Sequence, residues 1–194
     1  MGFLEPITLR GAHVALVPLT DDHHDDLVEA VRDGELWNLW YTIIPEPAKV
    51  RVEIERRLGL QAKGAALPFA VMDPAMGKAV GLTSYLNIDA ANRRVEIGAT
   101  WYRASLQRTS LNTEAKLLLL THAFETLGAI RVEFKTDALN DKSRAALARI
   151  GAVEEGTFRN HMITQSGRVR DSVYFSILDR EWPAVKARLQ GLLR

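Results

Sequence analysis

Gln107-Arg108-Thr109-Ser110-Leu111-Asn112-Thr113-Glu114-Ala115 follows a strand-like run and opens the most apolar helix of the chain, expected over Asn112–Leu127. Leu111, Ala115, Leu118, Leu119, Ala123 and Leu127 recur at helical spacing, so one face of that helix must be buried against a sheet. His122 lies on or beside this face, as a core histidine or a catalytic one. A loop of small and polar residues at a helix start exposes unpaired N–H groups at the positive end of the helix dipole. Such a loop can hold an anion such as phosphate. It can equally be an ordinary cap, with Ser110 or Asn112 as the N-cap residue.

Outward from this helix the pattern alternates. Arg93–Tyr102 reads as a strand before it and Ile130–Thr136 as a short strand after it. Further upstream, Pro68–Met72 and Ala79–Ile88 form a hairpin around Asp73–Lys78, and Ile7–Leu19 reads as a strand with a turn at Arg10-Gly11. Helices are expected from Thr20 to about Arg32 and from about Ala48 to Lys63, on either side of an aromatic loop, Glu35–Pro47. Downstream, a helix over Asn140–Ile150 ends at Gly151, the usual C′ residue. Ala152–Thr164 and Val169–Leu178 are long alternating strands joined at Gln165–Arg168, and Arg180–Leu193 is a terminal helix. The order is roughly β-α-α-β-β-β-α-β-α-β-β-α. It predicts one α/β (α+β) domain over residues 1–194, with a mixed, mostly antiparallel sheet of about seven strands flanked by helices. It does not fit a doubly wound nucleotide fold.

Composition narrows the function classes. The chain has 194 residues, 47% hydrophobic and 25% charged, enough for a real core. A net charge of +1 provides no strong field for nucleic acid or an anionic membrane, although it leaves room for a local basic patch. The absence of cysteine excludes thiolate metal sites and cysteine nucleophiles. No apolar run spans a bilayer and no signal peptide is visible, so a cytoplasmic protein is expected. Met1-Gly2 would suit myristoylation, but Pro6 stands where that motif needs Ser or Thr. The acidic and histidine-rich Thr20–Asp26 points in several directions round a helix and reads as a solvated first turn, so no metal site is expected.

Three groups of side chains could carry chemistry. Glu96 alternates with Val95 and Ile97, and a carboxylate on a sheet beside a cleft can take a proton from an amine; it can also be a salt-bridged strand residue beside Arg93 and Arg94. Trp37, Trp40 and Tyr41 on the aromatic loop can pack onto the core or wall a pocket. Asn140 can cap its helix, or join Ser143, one turn on, in facing a ligand.

Leu9-Arg10-Gly11 followed by Leu16-Val17-Pro18-Leu19, Val95-Glu96-Ile97-Gly98, Thr113-Glu114-Ala115, Ala123-Phe124 followed by Leu127-Gly128, Ile130-Arg131-Val132-Glu133, Asn140 with Ser143, Ile150-Gly151-Ala152 followed by Glu155-Gly156, and Ser176-Ile177-Leu178 with Glu181-Trp182 occur in this order. In that order and spacing they resemble the GNAT superfamily of N-acetyltransferases, especially its branch of ribosomal-protein N-terminal acetyltransferases. The resemblance runs from about Ile7 to Trp182.

It implies transfer of the acetyl group of acetyl-CoA to a primary amine by direct attack in a ternary complex. The acceptor would be a protein N-terminus or a small-molecule amine. In this family the pyrophosphate lies on the loop opening the main helix, here Gln107, Arg108, Thr109, Ser110, Leu111, Asn112 and Thr113. Pantetheine pairs with the strand end at Thr100, Trp101 and Tyr102, whose N–H groups polarise the thioester carbonyl. Asn140 and Ser143 would complete the CoA site, and Glu96 would be the base. Trp37, Trp40, Tyr41, Asp171 and Tyr174 would line the acceptor pocket, although Asp171 could instead pair with Arg168 or Arg170.

Three departures stand out. The family loop reads Gln/Arg-x-x-Gly-x-Gly/Ala, whereas Ser110 and Asn112 replace the small residues here. The stretch from Gly98 to Thr113 is about one residue longer than usual, which a β-bulge would absorb. Many members carry a tyrosine acid where this chain has Leu147; the ribosomal-type branch carries a serine at Ser143, here the expected acid, directly or through water. A non-catalytic CoA-binding or sensor module is the competing expectation. The long C-terminal strands could support a homodimer.

Overall fold

The computed structural model describes Gly2, residues 5–164 and residues 166–193. Its strands are β1 (Leu9–Arg10), β2 (Ala15–Pro18), β3 (Ala66–Asp73), β4 (Lys78–Asp89), β5 (Arg94–Tyr102), β6 (Arg131–Asp137), β7 (Val153–Ile163) and β8 (Val169–Leu178). The helices are α1 (His24–Arg32), α2 (Val50–Ala62), α3 (Ser110–Thr121), α4 (Asp141–Ile150) and α5 (Trp182–Gly191). One eight-stranded sheet runs β1-β2-β3-β4-β5-β6-β8-β7, antiparallel throughout except where β5 meets β6.

The sheet has a core on each face. Val95, Ile97, Val132, Phe134, Val173 and Phe175 pack with Leu111, Ala115, Leu119 and Ala123 of α3, and with residues of α4 and α5. On the other face Ala70, Ala79, Leu82 and Trp101 pack with Leu27, Ala30 and Val31 of α1 and with Val50 and Ile54 of α2. Alternation along each strand sends successive side chains to these opposite layers.

Several boundaries differ from expectation. Ile7–Leu19 is two short strands, because Gly11 N–H bonds to Val14 O (2.8 Å) and turns the chain into a hairpin. That is why the sheet has eight strands rather than seven. α1 begins only after a 3₁₀ turn at Asp21–His23, and α2 after one at Pro47–Lys49. α3 starts at Ser110, two residues before Asn112, and its last turn, His122–Thr126, widens to π geometry. The terminal helix is shorter, Trp182–Gly191. Gly151 ends α4 with φ +95°, as a C′ glycine should. The expected turn at Gln165–Arg168 includes Gln165, which lies outside the described residues.

The β1–β2 hairpin is tied to α3 by one side chain. Glu114 accepts hydrogen bonds from Ala12 N (3.0 Å) and His13 N (2.6 Å), and its carboxyl occupies the space a Cβ on Gly11 would need. Glu114→Ala strands two N–H groups in a partly buried turn. A loss of about 2 kcal/mol is expected, read as a fall in Tm of about 6 °C. An unchanged melting curve would mean that water serves those groups equally well.

Candidate active site

The sheet parts in its middle. β5 and β6 pair only at Arg94↔Arg131, Val95↔Val132 and Glu96↔Glu133, then diverge. Just beyond, β5 slips against β4: Ser84 faces Gly98 but Leu82 faces Trp101, so β5 carries one extra residue. Ala99 takes φ +49° there, in the left-handed region. Arg57, 3% exposed on α2, holds this bulge by donating to Ala99 O (2.9 Å) and to Ser84 Oγ (3.1 Å). Its Nε is neutralised by Glu53 Oε1 at 2.7 Å. A peptide unit is planar and trans, so fixing Ala99 C=O toward α2 aims Thr100 N–H toward the α3 side. Trp101 and Tyr102 are buried in opposite cores, leaving only their backbone for a ligand.

The loop after β5 delivers the start of α3 to this gap. Gln107 Nε2 donates to Tyr102 O (3.2 Å), tying the loop to the strand end. Arg108, not Ser110 or Asn112, takes the left-handed conformation, with φ +63°. Thr109 is the N-cap: its Oγ1 accepts from Leu111 N (3.3 Å) and donates to Leu106 O (2.8 Å). This corrects the expected caps, Ser110 and Asn112, which are ordinary first-turn residues. Their N–H groups lie before the intrahelical ladder begins. No glycine is needed because neither has a positive φ. Asn112 Oδ1 and Tyr102 Oη are buried without a hydrogen-bond partner among the described residues. Beside the loop, toward the β1–β2 turn, lies a cavity of about 250 Å³ lined by Leu106, Thr109, Ser110 and His13.

α4 closes the other side. Asn140 caps it, its Oδ1 accepting from Ser143 N (3.0 Å), which is the simple capping reading. Arg149 crosses to α3 and donates to Thr113 Oγ1 (2.9 Å). Leu147, at the family's tyrosine position, is buried in the core.

Glu96 looks out from the opposite face of the sheet from α3. It is 2% exposed. Asn87 Nδ2 donates to its Oε2 (2.7 Å), and Lys135 Nζ stands 3.7 Å away. Burial raises its pKa above the usual carboxylate range, against the pull of Lys135 and Asn87. Lys135 reaches over the Tyr174 ring at 6.0 Å. Burial, then the charge of Glu96, raises the Tyr174 phenol. Arg168 contacts Asp137, Arg170 Nε lies 3.7 Å from the same carboxylate, and the Arg168 guanidinium stacks 5.1 Å from Trp40. Trp40 is 57% exposed and meets Tyr41 edge-on at 5.4 Å. Asp171 does not pair with Arg168 or Arg170: its Oδ1 accepts from Asn160 N (2.7 Å) at the bulge in β7. The buried carboxylate of Asp137 takes the arginines instead. Trp37 is only partly buried and packs against the α1–α2 core. His122 is a core residue, its pKa lowered by burial, with its ring 6.2 Å from Tyr85. Among the described residues no group of three or more His, Asp and Glu side chains could hold a metal.

Arg57, Asn87, Lys135 and Asp137 escape a reading of the sequence. Each is a polar residue in an ordinary amphipathic pattern, and its partners lie in other elements. Only the left-handed Asn87 (φ +47°) sits at a residue type that hints at special backbone.

A parted sheet, a helix N-terminus delivered to the parting and a buried carboxylate on the far face together define the architecture of an acyl transferase. The family model of the acetyltransferase (GNAT) domain matches residues 13–153, and the chain belongs to that family. It is 39% identical over 110 residues to the Bacillus subtilis protein named "Putative ribosomal N-acetyltransferase YdaF", a match spanning 57% of this chain and 59% of that one. A GCN5-related N-acetyltransferase structure from Brucella melitensis is 34% identical, with a TM-score of 0.87 over 98% of this chain and 86% of that one. The structure of Mycobacterium smegmatis RimJ in complex with CoA-disulfide shares the fold: TM-score 0.82, 23% identity, 99% and 97% coverage.

Proposed function

We propose that this chain, as a single domain, transfers the acetyl group of acetyl-CoA to a primary amine by direct attack in a ternary complex. What carries the reading is the meeting of three features: the α3 N-terminus, the parted strands β5 and β6, and Glu96 beyond them. The backbone of Gln107–Thr113 holds the pyrophosphate, with the N–H groups of Ser110 and Asn112 and the charge of Arg108 as donors. The pantetheine arm enters between β5 and β6 and pairs with Thr100–Tyr102. Thr100 N–H, aimed by the Arg57-held bulge, polarises the thioester carbonyl. The amine approaches from the Glu96 face, and Glu96 takes its proton as it attacks. Ser143, directly or through water, donates a hydrogen bond to the departing sulfur, and Asn140 fixes the turn that presents it. Trp37, Trp40, Tyr41, Tyr174 and Asp171 wall the acceptor side.

The likeness to YdaF favours a ribosomal-protein N-terminus among acceptors, and such a substrate implies a cytoplasmic enzyme. The exposed ribbon of β7 is the candidate homodimer surface.

Acetyl transfer measured over N-terminal peptides and small amines tests the reading, with calorimetry of CoA and acetyl-CoA beside it. Binding with turnover on at least one amine is expected. Tight binding without transfer to any amine would favour a non-catalytic CoA sensor. No binding at all would remove both.

A further inference from the structure

Lys116 is a buried ammonium without a counter-ion among the described residues. It sits on α3 and is 7% exposed. Its Nζ lies 3.3 Å from Thr100 Oγ1 and 5.9 Å from the centre of the Phe134 ring. Thr100 lies on β5 four residues past the last rung at Glu96↔Glu133, beyond the bulge at Ala99, and Phe134 on β6 immediately follows that rung. The ammonium therefore bridges the two strands where they separate, on the α3 side of the sheet.

Among the described residues, nothing on the elements around it supplies a negative charge. β5 offers Thr100, whose hydroxyl is shared with Thr83 of β4 at 2.8 Å, and β6 offers the Phe134 ring. Arg149 of α4 ends on Thr113, one turn earlier in α3. Glu96 is on the opposite face, and Glu114 is engaged with the β1–β2 turn. Burial alone pushes Lys116 down to about 8. Desolvating a cation with one hydrogen bond and no charged partner is strongly unfavourable. A hydrophobic side chain of the same length would avoid that cost. The position is explained if a negative charge arrives there during the reaction.

We infer that Lys116 is the proton donor and counter-charge for the CoA thiolate that leaves, a role that rests on the acetyltransferase reading above. The amine nitrogen forms a bond to the acetyl carbon and gives one proton to Glu96. The carbon–sulfur bond breaks with its electron pair going to sulfur. One proton passes from Lys116 Nζ to that sulfur, leaving CoA thiol and a neutral amine, which regains a proton from solvent as products leave. The Ser143 hydroxyl, far too weak an acid to give up its own proton, serves as a hydrogen-bond donor or relay. Lys116 and a CoA thiol are near-matched acids, the condition under which proton transfer is efficient near neutral pH.

The test uses CoA itself and no acceptor. The ultraviolet absorbance of the thiolate is followed against pH for CoA bound to the wild-type chain and to Lys116→Met, Lys116→Gln and Lys116→Arg, with binding confirmed by calorimetry. The bound thiol is expected to titrate about one unit or more below free CoA in the wild type and in Lys116→Arg. In Lys116→Met and Lys116→Gln it returns to the free value. With a competent amine, kcat falls about 30-fold in Lys116→Met while KM for acetyl-CoA stays within about threefold. The alkaline limb of kcat disappears in that variant and moves to higher pH in Lys116→Arg. If Lys116→Met fails to fold, the comparison of Gln with Arg decides. Equal thiol titration in wild type and the uncharged variants, with CoA bound in both, overturns the role of Lys116. Absence of CoA binding by the wild type overturns the acetyltransferase reading, and this inference with it.

Discussion

Glu96→Gln is expected to lower kcat by about 10³ and to leave acetyl-CoA affinity unchanged, because the side chain lies on the face of the sheet opposite α3. Gln keeps the shape and the hydrogen bond to Asn87 but cannot accept a proton. The pH dependence has a definite sign. A base works when ionised, so kcat of the wild type rises with pH through the raised pKa of the buried carboxyl. In Glu96→Gln that acidic limb disappears. Stability moves the opposite way. A carboxyl whose folded pKa is raised stabilises the fold below its unfolded pKa and loses that stability as pH rises through the folded value. Gln does not titrate, so the variant melts no lower than wild type at neutral pH and gains on it as pH rises. Steady-state kinetics across pH with matching melting curves checks both halves. Unchanged turnover at neutral pH would remove Glu96 as the base.

Ser110→Asp raises the dissociation constant of acetyl-CoA about 100-fold, or ~2.7 kcal/mol. Ser110 is the first residue of α3, where an acidic side chain favours the helix by about 0.3–1 kcal/mol. The substitution thus leaves the fold as stable or more so, while placing a negative charge where the pyrophosphate is proposed to lie. Repulsion between like charges at a partly solvated site is screened by salt, so the loss shrinks as ionic strength rises. Calorimetry at low and high salt, with thermal melts, separates the outcomes. A variant that melts higher and still binds acetyl-CoA normally would move the pyrophosphate away from this helix end.

Much of the fold was legible because local patterns and packing agree. The apolar stripe of α3 announced a helix covering a sheet, Asn140 and Gly151 marked the ends of α4, and alternation marked Arg93–Tyr102. The turn at Arg10-Gly11 shows in the sequence, but the two paired strands it joins do not, because they are two and four residues long, too short for periodicity to register. The cap of α3 was misplaced by one residue or more: Thr109, Ser110 and Asn112 are all good caps, and choosing among them needs the backbone of Arg108. At the site, Glu96 stood out as a carboxylate between two apolar neighbours. Lys116 did not. In Glu114-Ala115-Lys116-Leu117 it reads as a solvent position, yet it lies under the sheet's parting, and no spacing within α3 reveals a gap made by β5 and β6. Arg57 and Asp137 were hidden for the same reason: their partners are Ala99 and Arg168, 42 and 31 residues away.

The three rungs between β5 and β6 have a further consequence. A sheet that separates in its interior has four borders instead of two: the outer ones at β1 and β7, and two inner ones along β5 and β6 beyond Glu96 and Glu133. Inner borders admit only a guest as thin as a strand and carrying amides of its own. A pantetheine arm has that form; a sugar or a nucleobase does not. Such a guest would act as a ninth strand, completing the ladder along one edge. Amide hydrogen exchange at those N–H groups of Ile97–Thr100 that point away from β4 would then be fast in the free chain and slow once the slot is filled, a footprint of the donor readable without any chemistry taking place.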